Sequence, residues 1–103
     1  MMKILAVTAC PSGVAHTYMA AEAIDDACKR VGIPCKVETQ GSIGIENEIT
    51  PADLEGATAV ILTNDMPIKH VDRFEGIPKV KVGVGAAIKQ ADAIVTKIVE
   101  KLG

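Results

Sequence analysis

Apolar residues recur along this chain in two rhythms. Lys3–Ala9 (KILAVTA) and Thr58–Thr63 (TAVILT) are short, nearly unbroken apolar runs, the pattern of strands buried on both faces. Cys35–Gln40 (CKVETQ) alternates, which predicts a strand with one wetter face. Lys79–Val82 reads as a fourth, short strand. Between these runs the period lengthens. Ala20, Ala23, Ile24, Ala27, Cys28 and Val31 share one face of a helix over Thr17–Val31, which Gly32 ends. Thr50 reads as an N-cap with Pro51 at the first helical position, opening a short helix that stops at Gly56. Gly41–Asn47 reads as a glycine-containing loop, and Asn64–Pro67 as a turn. Ile68–Phe74 suits a short helix closed by Gly76. Ala86–Leu102 predicts a closing helix with Ala87, Ile88, Ala91, Val95, Ile98 and Leu102 turned inward.

Strand and helix alternate four times with short connections. This order predicts the α/β class: an open four-stranded parallel sheet with helices on both faces, a Rossmann-like, doubly wound three-layer sandwich. Ligands of such sheets bind beyond the carboxyl ends of the strands, where the winding direction switches. The loop after the first strand, Cys10 to His16, falls there.

Composition narrows the reading. The 103 residues fit one domain, and 49% are apolar with only Tyr18 and Phe74 aromatic, so the core is Val, Ile, Leu and Ala. A net charge of −2 disfavours nucleic acid as the partner. No run approaches the roughly 18 apolar residues of a membrane span, and Met1–Ile4 leads straight into strand pattern without a signal-peptide region. A cytoplasmic domain with no direct membrane insertion is expected. Cys10, Cys28 and Cys35 make an odd count without a Cys-x-x-Cys pair, which disfavours a disulfide framework. His16 and His70 show no ligand spacing with them, so neither a metal nor a cofactor is expected.

Cys10 is the candidate nucleophile. Pro11, Ser12, Gly13, Val14, Ala15, His16 and Thr17 carry the chain from the strand into the helix. Gly13 permits conformations closed to other residues, and the small side chains leave the backbone accessible. The first N–H groups of a helix lack intrahelical partners and form an anion cradle. Their field favours a thiolate and also a tetrahedral anion held on it, a combination suited to phosphoryl transfer through a phosphocysteine. Cysteine phosphatases use a related loop, Cys-x5-Arg-Ser/Thr. Here the sixth residue after Cys10 is His16, followed by Thr17. Arginine would clamp the phosphoryl group bidentately; a carrier that hands the group on intact can do without that clamp. A small phosphatase or arsenate reductase, and a binding module with a structural cysteine, are the competing readings. The remaining residues read more plainly. Cys28 and Cys35 sit on patterned elements as small buried hydrophobes, Asp65 as a turn or cap carboxylate, and His70 and Arg73 as a solvated face.

Three segments together resemble a known family. TACPSGVAHTYMAAEAI (Thr8–Ile24) is similar to the active-site segment of the fructose-family enzyme IIB of the bacterial phosphoenolpyruvate:sugar phosphotransferase system (PTS). VETQGSIGIENEIT (Val37–Thr50) resembles its second signature, and Asp65 with RFEG (Arg73–Gly76) its later segment. Position 12 is Ser where the family commonly has Thr, which keeps the hydroxyl; the tail from Ile77 matches more loosely. The resemblance implies that residues 1–103 are a single fructose-type IIB domain, a phosphotransferase without a cofactor. It implies that Cys10 accepts a phosphoryl group from a phosphohistidine of the IIA component. The group then passes to fructose, or a fructose-like sugar, bound by the membrane IIC component. Gly41, Ser42 and Asp65 become candidate partner-facing residues.

Overall fold

Strand β1 (Ile4–Thr8) is buried at every position, as its unbroken apolar run requires, and it lies at the centre of the sheet. The computed structural model describes residues 2–11, 14–41 and 44–102. Within them β1 is followed by α1 (Val14–Arg30), β2 (Cys35–Gly41), β3 (Gly44–Glu46), α2 (Pro51–Leu54) and β4 (Ala59–Thr63). A 3₁₀ turn (Val71–Phe74), β5 (Lys79–Val82), α3 (Val84–Lys89) and α4 (Ala91–Leu102) complete the order. The strands lie in the order β3-β2-β1-β4-β5. From β1 the chain winds outward through β2 and then returns to wind the other way through β4 and β5, so the switch lies between β1 and β4.

The four expected strands are present and parallel. A fifth corrects the four-stranded reading: Gly44–Glu46, inside the segment read as a loop, folds back antiparallel on Thr39–Gly41. Three residues are too few to show a period, and the reversal uses Gly44 at φ 104°, a conformation that favours glycine. Helix α1 begins at Val14, one turn earlier than expected, because no breaker follows Gly13. It ends as predicted at Gly32 (φ 72°), where the Gly32 N–H donates to the Lys29 carbonyl (3.1 Å) and the Ile33 N–H to that of Cys28 (2.9 Å). Val31, beyond that end, is exposed and not on the inner face. The closing helix is two helices broken at Gln90 (φ −125°). The apolar spacing continues across the break and so conceals it, and Leu102 at the far end is exposed.

The two faces of the sheet are covered differently. Ile4, Ala6, Val37, Ala59 and Ile61 pack under α1, α3 and α4 through Ile24, Cys28, Ala87 and Val95. Leu5, Val7, Val60 and Leu62 pack instead under Ile49 and Phe74, on irregular chain, the short α2 and the 3₁₀ turn. On that side the polar positions of β2 are used up internally. Glu38 is fully buried and bonded to both Nη atoms of Arg73 (2.8 and 2.6 Å). It also accepts from the Ile49 N–H (2.8 Å) and the Gln40 amide (2.8 Å). Burial opposes the charged carboxylate, but these donors outweigh it and hold its pKa below the usual value. Arg73 is therefore not on a solvated face; its guanidinium also lies 4.6 Å from the Phe74 ring centroid. The alternation of β2 did predict a polar face, and that face is roofed by the chain's own loops.

Candidate active site

The site begins with how Cys10 is held. The Ala9 N–H donates to the Thr63 hydroxyl (3.0 Å), and that hydroxyl donates back to the Ala9 carbonyl (3.1 Å). The Thr8 hydroxyl donates to the Thr17 carbonyl (3.0 Å). The residues just before Cys10 are thus fastened to β4 on one side and to α1 on the other, with all of these groups buried. The main chain leading to the sulfur is held by these buried bonds, while Cys10 itself is only half-buried.

Helix α1 starts at Val14, and its first turn carries no carboxylate, so its positive end is not offset from within. His16 lies in that first turn, exposed, with Nδ1 4.0 Å from the Cys10 sulfur. Pro11 and Ala15 are exposed, and Thr17 is buried. Ser12, Gly13 and Ser42 lie outside the described residues, as does the side chain of Val14. Tyr18, one residue along α1 from Thr17, donates its hydroxyl to the Glu46 carboxylate and ties the helix to the β3 edge.

A cleft of about 350 Å³ opens beside Cys10. Pro11 and Thr17 form one wall, and Gln40, Gly41, Gly44 and Ile45 of the β2–β3 hairpin form a second. Met66, Pro67 and Lys69, from the segment after β4, close the third. Of the candidate partner-facing residues, Gly41 lines this cleft. Asp65 is exposed and caps α3, accepting the Val84 N–H at 2.6 Å, a task Gly83 has no side chain to perform. Gln40 and Lys69 were not singled out by sequence. Gln40 had a usable signal, since it ends the parallel strand beside β1; Lys69 sits in an irregular connection and had none.

The other cysteines occupy a different setting. Cys28 is buried in the core under α1, and Cys35 packs against the same cluster. The neighbouring Cys28 thiol together with burial pushes the Cys35 thiol up. Among the described residues, no group of three His, Cys, Asp or Glu side chains is arranged to hold a metal, and no helix is long and apolar enough to cross a membrane.

Comparison with known proteins is consistent with this geometry. Residues 5–97 match the family described as PTS system, Lactose/Cellobiose specific IIB subunit. The chain is 60% identical over 98 residues to the PTS system fructose-like EIIB component 2 of Escherichia coli K12, covering 95% of this chain and 92% of that protein. It is 43% identical to part of the PTS system fructose-specific EIIABC component of Bacillus subtilis, covering 92% of this chain and 15% of that much longer one. A crystal structure of a domain from the fructose-specific IIABC component of Borrelia burgdorferi superposes with a TM-score of 0.88 at 46% identity, over 96% of this chain and 94% of that domain.

Proposed function

The chain belongs to the IIB family of the phosphotransferase system, with a general role in phosphoryl transfer during sugar uptake, and from that premise we propose that Cys10 is its phosphoryl carrier. Residues 1–103 act as one fructose-type IIB domain. The Cys10 thiolate attacks the phosphorus of a phosphohistidine on the IIA component. A sulfur–phosphorus bond forms as the nitrogen–phosphorus bond breaks, and the imidazole leaves with the electron pair. A hydroxyl of fructose, or of a fructose-like sugar bound by the IIC component, then attacks the same phosphorus. Its proton passes to a base on the acceptor side, and Cys10 returns to the thiolate. The domain thus works at the cytoplasmic face of the membrane through IIC.

The observation that carries this reading is the placement of Cys10. It is the cysteine that stands at the topological switch, half-exposed, between a pinned strand end and the start of α1. Cys28 and Cys35 belong to the opposite end of α1 and to the core. The hydrolytic alternative lacks its clamp. Both arginines of the chain are engaged elsewhere, Arg30 with Asp92 and Arg73 with Glu38. A phosphocysteine here meets no bidentate guanidinium from this chain, which suits a group held in transit.

Intact-protein mass spectrometry tests the reading. The chain is incubated with phosphoenolpyruvate, enzyme I, the histidine phosphocarrier and a fructose-type IIA. Wild type should gain one phosphoryl group and lose it on addition of IIC membranes and sugar. Cys10→Ser should gain none, while Cys28→Ser and Cys35→Ser should behave as wild type. Acceptance by Cys10→Ser would remove the assignment.

A further inference from the structure

Among the described residues that line the cleft beside Cys10, Lys69 alone carries a formal charge. Its side chain is exposed, yet its main chain is held from both ends. The Lys69 N–H donates to the Gln40 amide oxygen (2.8 Å), and the Gln40 amide nitrogen donates to the Lys69 carbonyl (3.0 Å). Gln40 is only 5% exposed and is itself bonded to the buried Glu38–Arg73 pair. A lysine on an irregular segment is thereby indexed to β2, the strand beside β1, through buried side chains. The same bonds that satisfy the peptide groups of this cover, beside Ile68 on the core, also fix where the Lys69 side chain leaves the loop, at the wall of the cleft.

We propose that Lys69 supplies the positive charge that faces the phosphoryl group on Cys10, and that Gln40 is its positioning residue. The proposal rests on the phosphocysteine reading. As the group moves from donor nitrogen to sulfur, its three outer oxygens stay negatively charged. A cation on the cleft wall lowers the energy of that charge without exchanging a proton. An ammonium acts as a point charge and imposes no bidentate geometry, so the group can leave again toward the sugar.

Alkylation of Cys10 reads this field without any partner protein. Rates with iodoacetate, an anion, and iodoacetamide, which is neutral, are measured on the full chain by peptide mass spectrometry, which separates Cys10 from Cys28 and Cys35. The ratio of the two rates at Cys10 should fall about threefold in Lys69→Gln at low salt. Lys69→Arg should keep the wild-type ratio, and Gln40→Met should lose part of it. In the IIA assay Lys69→Gln should also accept phosphoryl groups several-fold more slowly. An unchanged ratio and an unchanged acceptance rate in Lys69→Gln would overturn the role of Lys69 while leaving Cys10 as carrier. A wild-type ratio in Gln40→Met would overturn the role of Gln40. No acceptance by wild type would remove the carrier reading and the role of Lys69 with it.

Discussion

The two faces of this sheet solve the same burial problem by different chemistry. On one face three helices lie over Ile4, Ala6 and Ile61, and the contact is almost wholly apolar. A helix bonds its own backbone internally, so the side chains beneath it have only to fill space. On the other face the cover is loop, a one-turn helix and a 3₁₀ turn. Loops bring peptide groups that the cover itself does not satisfy, and side chains of the sheet satisfy them. Glu38 takes the Ile49 N–H, Gln40 takes both groups of Lys69, and Lys79 donates to the Phe74 carbonyl (3.1 Å). Irregular cover therefore demands polar strand residues beneath it, and that polar network is what reaches the cleft beside Cys10.

Glu38→Gln should break the comparison hardest. It strands the buried Arg73 guanidinium, and removing one partner of a buried pair costs roughly 4 kcal/mol, read as the shift in urea midpoint. Replacing both partners, Glu38→Leu with Arg73→Met, should recover most of that loss. A double variant as unstable as the single one would mean that the loop face cannot be made apolar. Next in size is the helical face, where Ile24→Ala opens a cavity costing ~3 kcal/mol in the same assay, with no polar group involved. Asp65→Ala removes the cap of α3 and should cost about 1 kcal/mol, detected as faster amide exchange over residues 84–89. Acid sharpens the contrast with the smallest effect. The Thr50 N–H and hydroxyl, with Lys36 and against slight burial, lower the Asp53 carboxyl to about 2. Its folded pKa lies below the unfolded one, so its contribution is complete above about pH 4 and is lost as pH falls toward 2. Glu38 titrates in the same sense. Asp53→Asn should flatten the urea midpoint over that window; an unaltered acid slope would count against the cap.

Much of this was legible in sequence because period and caps are local. The apolar runs gave β1 and β4, Thr50-Pro51-Ala52-Asp53 announced its capping box, and Gly32 and Gly76 mark ends they do occupy with positive φ. The position of Cys10 just past the end of β1 was legible because the first apolar run stops before it. What escaped was non-local. Arg73 looked like a surface residue because its partner is 35 positions away. Lys69 gained meaning only through Gln40, 29 positions earlier. The β3 strand hid in three residues, and the break at Gln90 hid inside an uninterrupted apolar spacing.

The sheet also ends well on both sides. An unpaired strand edge is a template on which another chain can add, and long, flat, apolar edges aggregate. Here one edge is β3, three residues long and beginning with Gly44, and the other is β5, whose four residues include Lys79 and Lys81. Neither offers a stranger more than a few hydrogen bonds, and one repels it with charge. Edge-on addition of another chain is therefore disfavoured at both ends of the sheet.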